Sequence, residues 1–131
     1  TLDMVKNILV IDDEGLVTKS LQKLLKKEGF NAVIAASGQE AIEQCKGCDF
    51  DLIVSDIRMP QLDGIETIRK IRALLKDSGK QPIPEIFITG YADEDSYKSA
   101  LELKVADYIY KPFDTKEFVN TIKRNLDVVK E

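Results

Sequence analysis

Short apolar runs alternate five times along this chain with stretches of helical period. Asn7 to Ile11 is nearly continuous in apolar side chains, the pattern of a strand buried on both faces. Val17, Leu21, Leu24 and Leu25 then recur at helical spacing. Gly29 is suited to stop that helix, because it takes a positive φ without a Cβ clash. Ala32 to Ala35 predicts a second strand. Ser37 with Glu40 three residues on is a capping box, each side chain bonding the other's backbone N–H, and it opens a short helix that ends near Cys45 with Gly47 as its stop. Asp51 to Ser55 predicts the third strand. Asp63, with Glu66 three on, starts a helix whose stripe is Ile65, Ile68, Ile71 and Leu75, ended by Gly79. Pro82 and Pro84 mark a loop before the fourth strand, Glu85 to Ile88. Asp93 is placed to cap a fourth helix with a weak apolar face of Tyr97, Ala100 and Leu101. Tyr108 to Tyr110 is the fifth strand. Asp114 opens the last helix, with Phe118, Val119, Ile122, Leu126 and Val129 on one side.

Strands alternating with helices in this way predict an α/β fold, a parallel sheet with helices on both faces, three layers in all. Crossovers between parallel strands are right-handed almost always, which leaves few topologies. The flavodoxin-like order 2-1-3-4-5 is one of them, and its ligand site lies beyond the strand carboxyl ends, between strands 1 and 3. Four runs end there in residues able to handle phosphate or metal: Asp12-Asp13, Ser55-Asp56, Thr89, and Lys111-Pro112. Three carboxylates, a hydroxyl and an ammonium would then meet on one edge, as a magnesium-dependent phosphoryl site requires. Two such carboxylates 4 Å apart repel by about 4 kcal/mol at an effective dielectric of 20. A cation offsets that cost, and oxygen-only ligands around an open position suit Mg²⁺. Taken singly, Asp12 and Asp13 read as helix caps, Asp56 as a loop aspartate, Thr89 as a turn hydroxyl and Lys111 as a solvated charge. Five such accidents at one edge are a poor alternative to one site.

Composition narrows the field without changing this picture. The 131 residues suit one domain, and a mixture 44% hydrophobic and 32% charged is ordinary for a soluble protein. A net charge of −4 argues against direct nucleic-acid binding. The apolar stretches are far too short for a membrane helix, and no basic leader precedes an apolar segment, so a cytoplasmic protein with no membrane partner is expected. Met4-Val5-Lys6 reads as a natural start. Residues 1–4 are therefore expected to be an added remnant or a flexible N-terminus, ahead of a single domain over 5–130. Cys45-Lys46-Gly47-Cys48 has redox or zinc spacing. With only two cysteines and no histidine the zinc ligands run out. Cys45 also closes a helix, whereas a helix N-terminus is what lowers a thiol pKa. Two reduced cysteines are expected.

The motifs Ile11-Asp12-Asp13-Glu14, Asp56-Ile57-Arg58-Met59-Pro60 with Asp63-Gly64, Thr89-Gly90, and Tyr108-Ile109-Tyr110-Lys111-Pro112-Phe113, each after its own strand, resemble the receiver domain of two-component response regulators. The likeness runs from about Lys6 to Val129. It implies the 2-1-3-4-5 order, with Asp56 as phosphoacceptor. It also implies Mg²⁺ held by Asp13 and Asp56, by Asp12 through a water and by the Arg58 backbone carbonyl. Thr89 and Lys111 would contact the phosphoryl oxygens, and Thr89 and Tyr108 would form the switch. A cis Lys111-Pro112 bond is implied too. The implied donor is a sensor histidine kinase or histidine phosphotransfer protein. The implied output is an altered surface of the fourth helix, fifth strand and fifth helix, offered to an output protein or to a second copy.

Two departures stand out. Lys104 replaces the glycine the family often carries, where a positive φ would cost of order 1 kcal/mol. Arg58 and Tyr91, each two residues past a site residue, are bulky enough to exclude water, which predicts a longer-lived acyl phosphate. Tyr108 and Tyr110 also fit plain strand packing, the latter especially. The competing functions are an aspartyl-phosphate Mg phosphatase, a phosphorylation-independent interaction module and, more distantly, a flavin carrier. The chain shows no substrate cap or second acid for the first, and no lost site residue for the second. For the third, two aspartates would repel a flavin phosphate.

Overall fold

The computed structural model describes residues 5–90 and 94–126 of the chain. Its elements are β1 (Asn7–Ile11), α1 (Gly15–Lys27), β2 (Asn31–Ala35), α2 (Gly38–Gly47), β3 (Leu52–Asp56), α3 (Gly64–Asp77), β4 (Glu85–Thr89), α4 (Glu94–Leu103), β5 (Asp107–Tyr110) and α5 (Thr115–Leu126). All strand pairs are parallel and the sheet order is β2-β1-β3-β4-β5. The order expected from the resemblance is therefore the order observed.

Alternation along the strands divides the interior in two. Leu9, Ile11, Ile53 and Phe87 meet α2, α3 and Ala100 of α4 on one face. Ile8, Val10, Val54, Ile86, Ile88 and Ile109 meet Leu21 and Leu25 of α1 and Phe118, Ile122 and Leu126 of α5 on the other. The predicted α3 stripe Ile65, Ile68, Ile71 and Leu75 is buried throughout. Burying one such side chain contributes roughly 1.5–3 kcal/mol, so this stripe fixes α3 firmly over the sheet.

Local signals explain most helix ends, with corrections. Gly29 and Gly79 stop α1 and α3 with φ of 93° and 71°. Asp63 and Asp114 accept the N–H groups of Glu66 and Glu117 at 2.9 and 2.7 Å. Ser37 accepts from Glu40, but Glu40 reaches the N–H of Ala36 rather than that of Ser37. Gly47 is not left-handed; α2 ends because Cys48 turns extended. Leu101 is exposed rather than part of the α4 face, and Leu103 packs on the core in its place. Strands β2, β4 and β5 start or end one residue beyond their predicted limits, and β3 is shifted by one. The expected cap Asp93, the bulky Tyr91 and the α5 residue Val129 lie outside the described residues.

Candidate metal and phosphoryl site

The register that pairs Ile11 with Ser55 brings Asp12 alongside Asp56 at the carboxyl ends of β1 and β3. Asp13 joins them: one carboxylate oxygen from each of the three lies within 4.8 Å of the others. Asp12 and Asp56 are buried and Asp13 is exposed, so the cluster meets solvent through Asp13. Capping of α1 does not account for the pair. The N-cap is Glu14, which makes no side-chain cap bond, and it is Asp12, not Asp13, that accepts the Glu14 N–H at 2.9 Å.

The second oxygen of Asp12 is buried without a hydrogen-bond partner. Such an atom is costly unless something electropositive meets it. Burial pushes the Asp12 carboxyl up to about 6; the Glu14 N–H and the Lys111 ammonium pull it down and the Asp56 charge pushes it up. Asp56 is also raised, first by burial. Lys111 and the backbone N–H groups of Arg58 and Ile57 oppose that shift, while the Asp13 charge adds to it. Lys111 Nζ stands 3.6 Å from Asp56 Oδ2. The Lys111-Pro112 peptide bond is cis, and the Lys111 N–H donates to the Thr89 carbonyl at 2.8 Å, tying the two loops together.

Thr89 closes β4, half-buried, and among the described residues its hydroxyl makes a long 3.4 Å contact, to the Gly90 carbonyl. That bond is weak, so the hydroxyl can turn to another acceptor. Among the described residues, a Cβ on Gly90 would meet nothing nearer than Lys111 Cδ at 3.9 Å, an ordinary contact distance. Tyr108 lies in β5, three residues before Lys111, with its hydroxyl donating to the Ala100 carbonyl of α4 at 3.1 Å. The structure thus gathers Asp12, Asp13, Asp56 and Lys111 at one place, with Thr89 on the adjoining strand end and Tyr108 behind it toward α4.

One supporting residue shows its role only in the folded chain. Gly64 starts α3 against the backbone of the site aspartate, donating to the Ile57 carbonyl at 2.7 Å. A Cβ there would run into the Asp56 carbonyl oxygen. The Asp63-Gly64 pair carried the signal, but only the folded loop shows what Gly64 touches. Gln61, at φ 67°, gave no signal at all.

The family model described as "Response regulator receiver domain" matches residues 8–123. The transcriptional regulatory protein ZraR of Escherichia coli K12 is 36% identical over 120 residues, 92% of this chain and 26% of that protein, so the chain spans about a quarter of that relative's length. A CheY-like receiver domain protein from Methanospirillum hungatei JF-1 superposes with a TM-score of 0.84 at 29% identity, covering 95% of both chains. The receiver domain of a sensor histidine kinase from Pseudomonas aeruginosa PAO1, solved with a magnesium ion coordinated in its active-site cleft, gives 0.81 at 25% identity over 94% of this chain and 98% of that one.

Proposed function

This chain belongs to the receiver-domain family of response regulators, the domains of phosphorelay signalling, and on that premise we propose that it is a magnesium-dependent switch whose phosphoacceptor is Asp56. The observation that carries the reading is the buried, partnerless oxygen of Asp12 beside Asp56, with an ammonium facing them. An acidic cluster of this kind fits a hard divalent ion. Asp12, Asp13 and Asp56 would hold it with the Arg58 backbone carbonyl; the magnesium of the Pseudomonas receiver domain supports the assignment. When bound, Mg²⁺ would offset charge on the phosphoryl oxygens.

The chain's own groups carry the rest. An Asp56 carboxylate oxygen attacks phosphorus, an O–P bond forms, and the N–P bond to the donor imidazole breaks, leaving its electron pair on that nitrogen. The donor is a sensor histidine kinase or a histidine phosphotransfer protein. Lys111 supplies a positive point charge to the transferred oxygens. The Thr89 hydroxyl, weakly engaged at Gly90, turns to donate to them, and the space it leaves admits Tyr108. A hydrogen bond to a charged acceptor contributes about 1.5–3 kcal/mol. Reversing a 1:99 equilibrium takes about 5.5 kcal/mol. Thr89 therefore needs the help of Lys111 and of repacking around Tyr108. The surface changed is α4-β5-α5, toward an output protein or a second copy.

Treatment with a small acyl phosphate and Mg²⁺, read by intact mass, tests this. The account expects one added phosphoryl group on the parent, none with a chelator and none on Asp56→Asn. Equal labelling of the Asn variant would refute it.

A further inference from the structure

Three tyrosines sit together where α4 meets β5. Tyr97 lies in α4 and Tyr110 closes β5. Their hydroxyls are 3.0 Å apart. The Tyr108 ring is bracketed between this pair and the core: centroid distances are 6.0 Å to Tyr97, 6.5 Å to Tyr110 and 6.4 Å to buried Phe87. Tyr97 and Tyr110 themselves stand 6.4 Å apart.

The tip of Tyr108 is held by a feature of the helix end. Lys104 adopts φ 55°, and its N–H donates to the Leu101 carbonyl at 3.0 Å. The Ala100 carbonyl therefore lacks its intrahelical donor, as the last four carbonyls of a helix do. The Tyr108 hydroxyl takes that place. Inward movement of Tyr108 would break this bond and separate its ring from both outer tyrosines.

We propose that Tyr97 and Tyr110 are positioning residues, an outer clasp whose hydroxyl–hydroxyl bond holds Tyr108 against α4 and sets how readily it leaves. This rests on the reading of Tyr108 as the switch aromatic of a site at Asp56. Tyr110 is 49% exposed, so the bond is in contact with water and its net worth is modest. Its hydroxyl pKa is pushed up to about 12, chiefly by the bond to Tyr97. A clasp of this strength biases the equilibrium without locking it.

The test is a double-mutant cycle on the full chain with Tyr97→Phe, Tyr110→Phe and both, which removes hydroxyls and keeps the rings. Each single variant is expected to keep the parent's circular dichroism, to shift the Tyr108 ring signals in the same direction, and to accept phosphate from a small acyl phosphate about 3-fold faster. The double variant should match the singles, because all three lose one and the same bond. Unchanged Tyr108 signals, or effects that multiply in the double variant, would overturn the clasp. If the parent itself takes no phosphoryl group, the assignment of Asp56 falls, and the ring signals alone decide for or against the clasp.

Discussion

Asp12 carries the largest electrostatic burden of any single residue at this site. Its carboxyl is 2% exposed, one of its oxygens has no partner, and its pKa rises from 3.8 to about 6. The folded protein therefore binds more protons than the unfolded chain between those values. Stability attributable to Asp12 is greatest below pH 4 and is lost as pH rises toward 6. A shift of that size corresponds to about 1–3 kcal/mol once relaxation is allowed for. Asp12→Asn keeps an acceptor for the Glu14 N–H and removes the charge. In urea melts without metal it should be as stable as the parent near pH 4 and about 1–3 kcal/mol more stable at pH 7. Equal stabilities at both values would contradict the burial argument. The sequence told which residue types gather here, since each follows its own apolar run. It did not tell that Asp12 would be the buried member and Asp13 the exposed one, because that depends on how Glu14 and Gly15 lead into α1.

At the scale of elements, the sequence was most legible where period and cap agree. The α3 stripe and its Asp63 cap both point to one helix start, and the helix begins there. It was least legible where a contact joins residues through the fold. Glu85 reads as the first residue of a strand, yet it is 5% exposed and takes Arg72 of α3 in a two-point ion pair of 2.9 and 2.6 Å. Nothing local announces that pairing; it exists because α3 lies across β4. Removing Arg72 leaves the buried Glu85 carboxylate without its partner, though water reaches the Arg72 side, which is 38% exposed. Arg72→Met is expected to lower stability by about 1–2 kcal/mol, and adding Glu85→Gln in that background should restore part of it. A denaturation cycle checks this; a neutral Arg72→Met would show that Glu85 is hydrated after all. Similarly, Lys104 at φ 55° shows that α4 ends in a left-handed residue as a glycine would allow, with lysine bearing the strain. The consequence, a free Ala100 carbonyl for Tyr108, could not be read from the residue alone.

For the molecule as a whole, one sheet order explains why distant segments meet. Order β2-β1-β3-β4-β5 sets the carboxyl ends of β1 and β3 side by side, with β4 and β5 next in line. Residues 12, 56, 89 and 111 thereby come to one edge, and α4 and β5 stand where a change at Thr89 can reach them. The central claim is that the acidic edge is built to share one divalent ion. A Mg²⁺ titration followed by backbone amide shifts tests it most directly. The account predicts saturable shifts concentrated at residues 12–14, 56–58 and 111, lost in Asp12→Asn together with Asp13→Asn. Shifts scattered over the surface, or none at all in the folded protein, would contradict it.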